Sequence, residues 1–189
     1  MFSYKKKYFL IIKSIHDINL NKMRANNKFY LIYRNAEKKE IFSELLKFRN
    51  RCKLKKFSFF VANDVFLARL LNSDGIYLSS WNTSIKHSYF KQPNKIIIGS
   101  AHTVAEMTFK IKQGCNYVLV SKLFKVDYAP EEKFYGVIKF NKLLDINKKI
   151  IPLGGIKLLN LNKLKTVRSE GFALMSEIKK KPAISNRLF

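Results

Sequence analysis

Apolar and polar positions follow one another along the chain in two kinds of block. Short apolar runs, with the look of strands buried on both faces, stand at Tyr8–Lys13, Phe29–Tyr33, Phe57–Ala62, Ile76–Leu78, Ile96–Gly99 and Tyr117–Ser121. Two further runs stop at Gly154-Gly155 and at Met175-Ser176. Between them lie segments of helical spacing. From Glu37 to Cys52 the apolar residues Ile41, Phe42, Leu45, Leu46 and Phe48 share one face, with Lys and Arg on the other. Val65–Leu71, Val104–Lys112 (closed by Gly114), Phe140–Leu144 and Leu158–Val167 read the same way, the last as one short helix. Ser14–Asn27 is polar and has room for only a turn or two.

Strands that alternate with helical segments call for right-handed crossovers and a parallel sheet. Eight such strands predict an α/β protein, a (β/α)8 TIM barrel shortened at its first helix. Residues 1–189 read as a single domain, with a basic tail from about Lys179 whose Leu188 and Phe189 have no assigned place.

Composition narrows the picture. With 189 residues, 47% of them hydrophobic, the chain can bury a sizeable core. No apolar run approaches the ~20 residues needed to cross a bilayer, and Lys13 closes the first run too early for a signal peptide. The expectation is a cytoplasmic protein with no membrane partner. Cys52 and Cys115 lack the spacing of a zinc site and are expected to be ordinary helix residues. Lys plus Arg outnumber Asp plus Glu by 37 to 13, a formal charge of +24, yet the cations are scattered through every segment. Such a surface attracts nucleic acid only non-specifically, and it suits small anionic substrates.

In a parallel barrel all strand C-termini open on one face. Arg34, Asn63, Asp64, Asn82, Ser100, His102, Gly155 and Ser176 therefore become neighbours. The Gly154-Gly155 turn and the amides at Met175 and Ser176, at the ends of adjacent last strands, could converge on a phosphate; Gly-Gly is equally a plain strand-to-helix turn. Asp64 can cap a helix, hold a divalent metal, or do both.

The order of motifs resembles the thiamine phosphate synthase/TenI family. The matching pieces are Phe-Phe-Val-Ala-Asn-Asp (59–64), Ser-Asp-Gly-Ile-Tyr-Leu (73–78) and Ile-Ile-Gly-Ser-Ala-His-Thr (97–103). Gly-Cys-Asn-Tyr-Val-Leu-Val-Ser (114–121), Ile-Pro-Leu-Gly-Gly-Ile (151–156) and Gly-Phe-Ala-Leu-Met-Ser-Glu-Ile (171–178) follow. The resemblance implies an enzyme that joins hydroxymethylpyrimidine diphosphate to thiazole phosphate and releases pyrophosphate, with Mg²⁺ on the diphosphate. It gives Asn63 to the pyrimidine substrate, Asp64 and Asn82 to the metal, and Arg34 to the leaving pyrophosphate. Ser100 falls near the reacting centre, and Gly155, Met175 and Ser176 hold the thiazole phosphate.

Three features depart from the family pattern. Ile32 and Ala36 flank Arg34 where Gln-x-Arg-x-Lys is expected, Trp81-Asn82 replaces a Glu-Asp pair, and Val126-Asp127-Tyr128-Ala129 replaces a Thr-x-Thr-Lys loop. TenI-type relatives depart in the same places and are similar to a thiazole tautomerase, in which a histidine at the position of His102 moves a proton. That alternative, and a non-catalytic barrel binding thiamine intermediates or polyanions, stay open at this stage, as does homo-oligomerisation.

Overall fold

The computed structural model describes residues 7–35, 37, 40–85, 90 and 92–175. Among them, eight parallel strands close into a barrel in chain order: β1 (Lys7–Ile12), β2 (Phe29–Tyr33), β3 (Ser58–Ala62), β4 (Gly75–Leu78), β5 (Ile96–Ala101), β6 (Tyr117–Ser121), β7 (Ile150–Leu153) and β8 (Gly171–Leu174). The helices α1 (Phe42–Leu54), α2 (Val65–Leu70), α3 (Val104–Lys112), α4 (Gly136–Ile146) and α5 (Leu161–Lys165) fill the crossovers. β1 and β2 are joined by two 3-10 turns, 15–17 and 20–22, capped by the side chains of Ser14 and Asn19. The first helix is shortened as its polar sequence predicts.

Continuous apolar strands are explained by two cores. Phe9, Ile11, Ile32, Phe60, Tyr77, Ile98, Leu119, Ile151 and Ala173 point inward and fill the barrel. The alternate residues, such as Tyr8, Leu10, Leu31, Phe59 and Val118, meet the buried faces of the helices, among them Leu45, Phe48 and Phe140. A barrel packed solid in this way is a rigid platform, and its chemistry is left to the loops at the strand ends.

Four local expectations change. α1 starts at Phe42 rather than Glu37, because the Glu40 carboxylate is drawn away to the Tyr33 hydroxyl and the Ile15 amide. The single helix expected over 158–167 is a 3-10 turn at 158–160 followed by α5, since the Asn160 side chain bonds back to Lys157 and Gly155. β5 runs on to Ala101, which puts Ser100 inside a strand instead of after it. Cys52 lies in α1, whereas Cys115 follows Gly114 on the turn into β6; both are buried.

Candidate active site at the barrel mouth

β7 and β8 lie side by side and parallel, with Leu153 opposite Ala173. Gly155 and Met175 each stand two residues further on, just past these adjacent strand ends. Gly154 and Gly155 both have positive φ, 89° and 68°, which glycine adopts without the Cβ penalty. A Cβ on Gly155 would stand 2.4 Å from the Phe124 carbonyl oxygen, because the loop after β6 lies directly against it. The Asn160 amide donates to the Gly155 carbonyl at 2.6 Å and its oxygen accepts from the Lys157 N–H at 2.9 Å, which fixes the turn. Among the described residues, the Gly155 N–H has no acceptor. Met175 is half-buried against the inner core, and Ser176 lies outside the described residues.

At the β3–β4 corner Asn63 adopts a left-handed conformation, φ 58°, that asparagine tolerates better than most residues. Its side-chain oxygen accepts from the Ser79 N–H at 2.9 Å and from the Asn82 amide at 3.0 Å, and its amide donates to the Ser79 hydroxyl at 2.8 Å. The Asn82 oxygen in turn accepts from the Ser84 N–H at 3.0 Å. Asp64 caps α2 by accepting from the Leu67 N–H at 2.9 Å.

Ser100 points into the barrel, buried beside the Tyr77 phenol. Burial pushes the Tyr77 pKa up, while Ser100 and the charge of Arg34 act the other way; Arg34, exposed after β2, thus sends its field over the mouth. His102, after β5, is exposed, and its Nδ1 meets the Ser121 hydroxyl at 2.8 Å. Its backbone is held too, the N–H donating to the Glu106 carboxylate at 2.8 Å and the carbonyl accepting from the Tyr135 hydroxyl at 3.1 Å. In the loop after β6, where Thr-x-Thr-Lys is replaced, Lys122 pairs with Glu132 and lies over the Tyr128 ring, and Asp127 pairs with Lys157 of the loop after β7.

The residues expected to hold Mg²⁺ do not by themselves make an all-protein metal centre. Such an ion takes six near-octahedral oxygens, usually one or two carboxylates with water and substrate phosphates making up the rest. Here Asp64 is the one carboxylate of the proposed pair, both polar atoms of the Asn82 amide are committed, and the described residues contain no group of three His, Cys, Asp or Glu able to hold a metal. Sequence reasoning missed Tyr77 as the neighbour of Ser100 and Ser121 as the partner of His102. The period-two alternation of β4, β5 and β6 would have put Tyr77, Ser100 and Ser121 on the inner face.

Eight parallel strands closed in chain order, with Arg34, Asn63, Asn82, His102 and Gly155 all following strand ends on one face, define a (β/α)8 barrel with its polar residues gathered at one mouth. The thiamine monophosphate synthase family model matches residues 18–178, and the chain belongs to that family. A thiamine-phosphate synthase of Clostridioides difficile is 26% identical over 160 residues, covering 82% of this chain and 75% of the relative. One from Bacillus mycoides is 30% identical over 131 residues, 67% of this chain and 59% of the relative; for one from Prochlorococcus marinus the match spans 39% of the relative. The fold is also that of a thiamine phosphate pyrophosphorylase from Pyrococcus furiosus, with a TM-score of 0.73 at 18% identity over 98% of this chain and 96% of that one.

Proposed function

We propose that the chain is a divergent thiamine-phosphate synthase of the cytoplasm, joining hydroxymethylpyrimidine diphosphate to thiazole phosphate and releasing pyrophosphate. The observation that carries this reading is the pair of adjacent strand ends at Gly155 and Met175, a place for a phosphate, in a chain of this family. In it the amides at Gly155, Met175 and Ser176 hold the thiazole phosphate, Asn63 meets the pyrimidine, and Arg34 stabilises charge on the departing pyrophosphate. Ser100, next to Tyr77, stands beside the carbon at which the diphosphate oxygen leaves and the thiazole nitrogen attaches. The protein contributes position and fixed electrostatics rather than covalent steps. Mg²⁺ has no all-protein centre among these side chains and enters on the diphosphate, which supplies most of its oxygens.

The exposed His102 ring, with Nδ1 held by Ser121, favours a second reading as a thiazole tautomerase. Purified protein with both phosphorylated precursors and magnesium decides between them. Thiamine phosphate, detected by mass spectrometry and cut about 10²-fold or more in Arg34→Ala, supports the synthase. Proton exchange on the thiazole, lost in His102→Ala and without product, supports the second reading. Neither activity, with salt-sensitive oligonucleotide binding, refutes both.

A further inference from the structure

We propose that a buried lysine, Lys110, rather than a divalent cation, holds the β3–β4 corner of the mouth. Lys110 lies on α3, three residues after buried Met107 on the face that meets the barrel, and is 0% exposed. Its Nζ donates to the Asn82 carbonyl at 2.6 Å. Gln113, three residues on and also buried, donates to the same carbonyl at 3.1 Å and to that of Ser84 at 3.0 Å. One side chain of α3 and that of its C-cap residue therefore clamp the loop after β4 from behind.

The strand beneath is cut to fit. A Cβ on Gly99 of β5 would come within 3.0 Å of Lys110 Cδ and 2.9 Å of Cys115 Sγ, so the lysine stem needs a glycine to cross the sheet. From Asn82 the lock passes forward to Asn63 and Ser79 through the amide contacts described above. Backbone N–H groups can only donate, so the Ser84 and Ser79 amides identify the atoms they meet as the side-chain oxygens of Asn82 and Asn63. A metal entering here would meet amide oxygens that already accept backbone N–H groups, and one carboxylate, Asp64, that already caps α2. The corner is thus held by hydrogen bonds, and Lys110 is a positioning residue for the Asn63 and Asn82 faces that meet substrate.

Only the identity of that substrate rests on the synthase reading. The test needs no substrate. Protein in chelator-treated buffer is titrated with Mn²⁺ and followed by electron paramagnetic resonance, and the exchange of the Ser79 and Ser84 amides is followed by NMR in wild type and Lys110→Met. The expected result is no saturable Mn²⁺ site up to about 1 mM, with both amides exchanging about ten-fold faster in the variant. A stoichiometric Mn²⁺ site lost in Asp64→Ala, or amides unchanged in the variant, would overturn it. If Lys110→Met does not fold, Gln113→Leu, which removes the companion donor, is read at the same two amides with the same expected and contrary outcomes. Loss of synthase activity leaves this titration untouched, and a metal site found here leaves the activity untouched.

Discussion

Replacing Gly155 with alanine should damage both fold and phosphate binding, and the structure sets the scale. With φ at 68°, an L-residue there costs roughly 1–2 kcal/mol of left-handed strain. The new Cβ also lands 2.4 Å from the Phe124 oxygen and 2.5 Å from the Lys125 oxygen. Both are backbone atoms, so no rotamer relieves the clash and the loop after β6 must move, at a cost of about 1–3 kcal/mol. Together these give about 2–5 kcal/mol, or roughly 6–15 °C in melting temperature for a domain of this size. Gly154→Ala is the matched control. It has the same kind of strain, φ 89°, but its nearest new neighbour is Lys122 Cα at 3.3 Å. Its loss should stay near the strain alone, about 1–2 kcal/mol. Thermal melts give the first comparison, and calorimetric titration of thiazole phosphate the second, with affinity falling more than about ten-fold in Gly155→Ala. Equal or milder effects in Gly155→Ala than in Gly154→Ala would refute the tight approach of the loop on which the phosphate site is built.

Burial pushes the thiols of Cys52 and Cys115 up to about 12 each. Both should stay protonated and inert to a thiol reagent at pH 8 in the native protein and react as two thiols only in denaturant; a fast-reacting native thiol would contradict this. Asp74 accepts from buried Arg49 at 3.2 Å and from the Phe59 N–H at 2.7 Å. Asp74→Ala leaves both donors short of their acceptor and should cost about 2–4 kcal/mol in urea unfolding, whereas a loss under about 0.5 kcal/mol would show the pair to be idle.

Much of the barrel was legible because parallel strands covered on both sides read as apolar runs, and β2 and β6 come out with the ends expected of them. Helix boundaries were less so, since α1 is set by Glu40 reaching back to Tyr33 and the 158–167 segment is split by the Asn160 side chain, both choices made by groups outside any periodicity. At the mouth, the adjacency of Gly155 and Met175 followed from strand order alone. What the spacing could not show was how the Asn63 and Asn82 amides are shared between one another and the Ser79 and Ser84 backbone. Residue type hid Lys110: a lysine looks solvated until the glycine on the strand beneath, Gly99, is seen to make room for its stem.

A structure of the protein with thiazole phosphate bound tests the phosphate site directly. The phosphate should lie between the ends of β7 and β8, accepting from the N–H groups of Gly155 and Met175. A phosphate bound elsewhere on this basic surface, with those two amides turned away from it, would contradict the account.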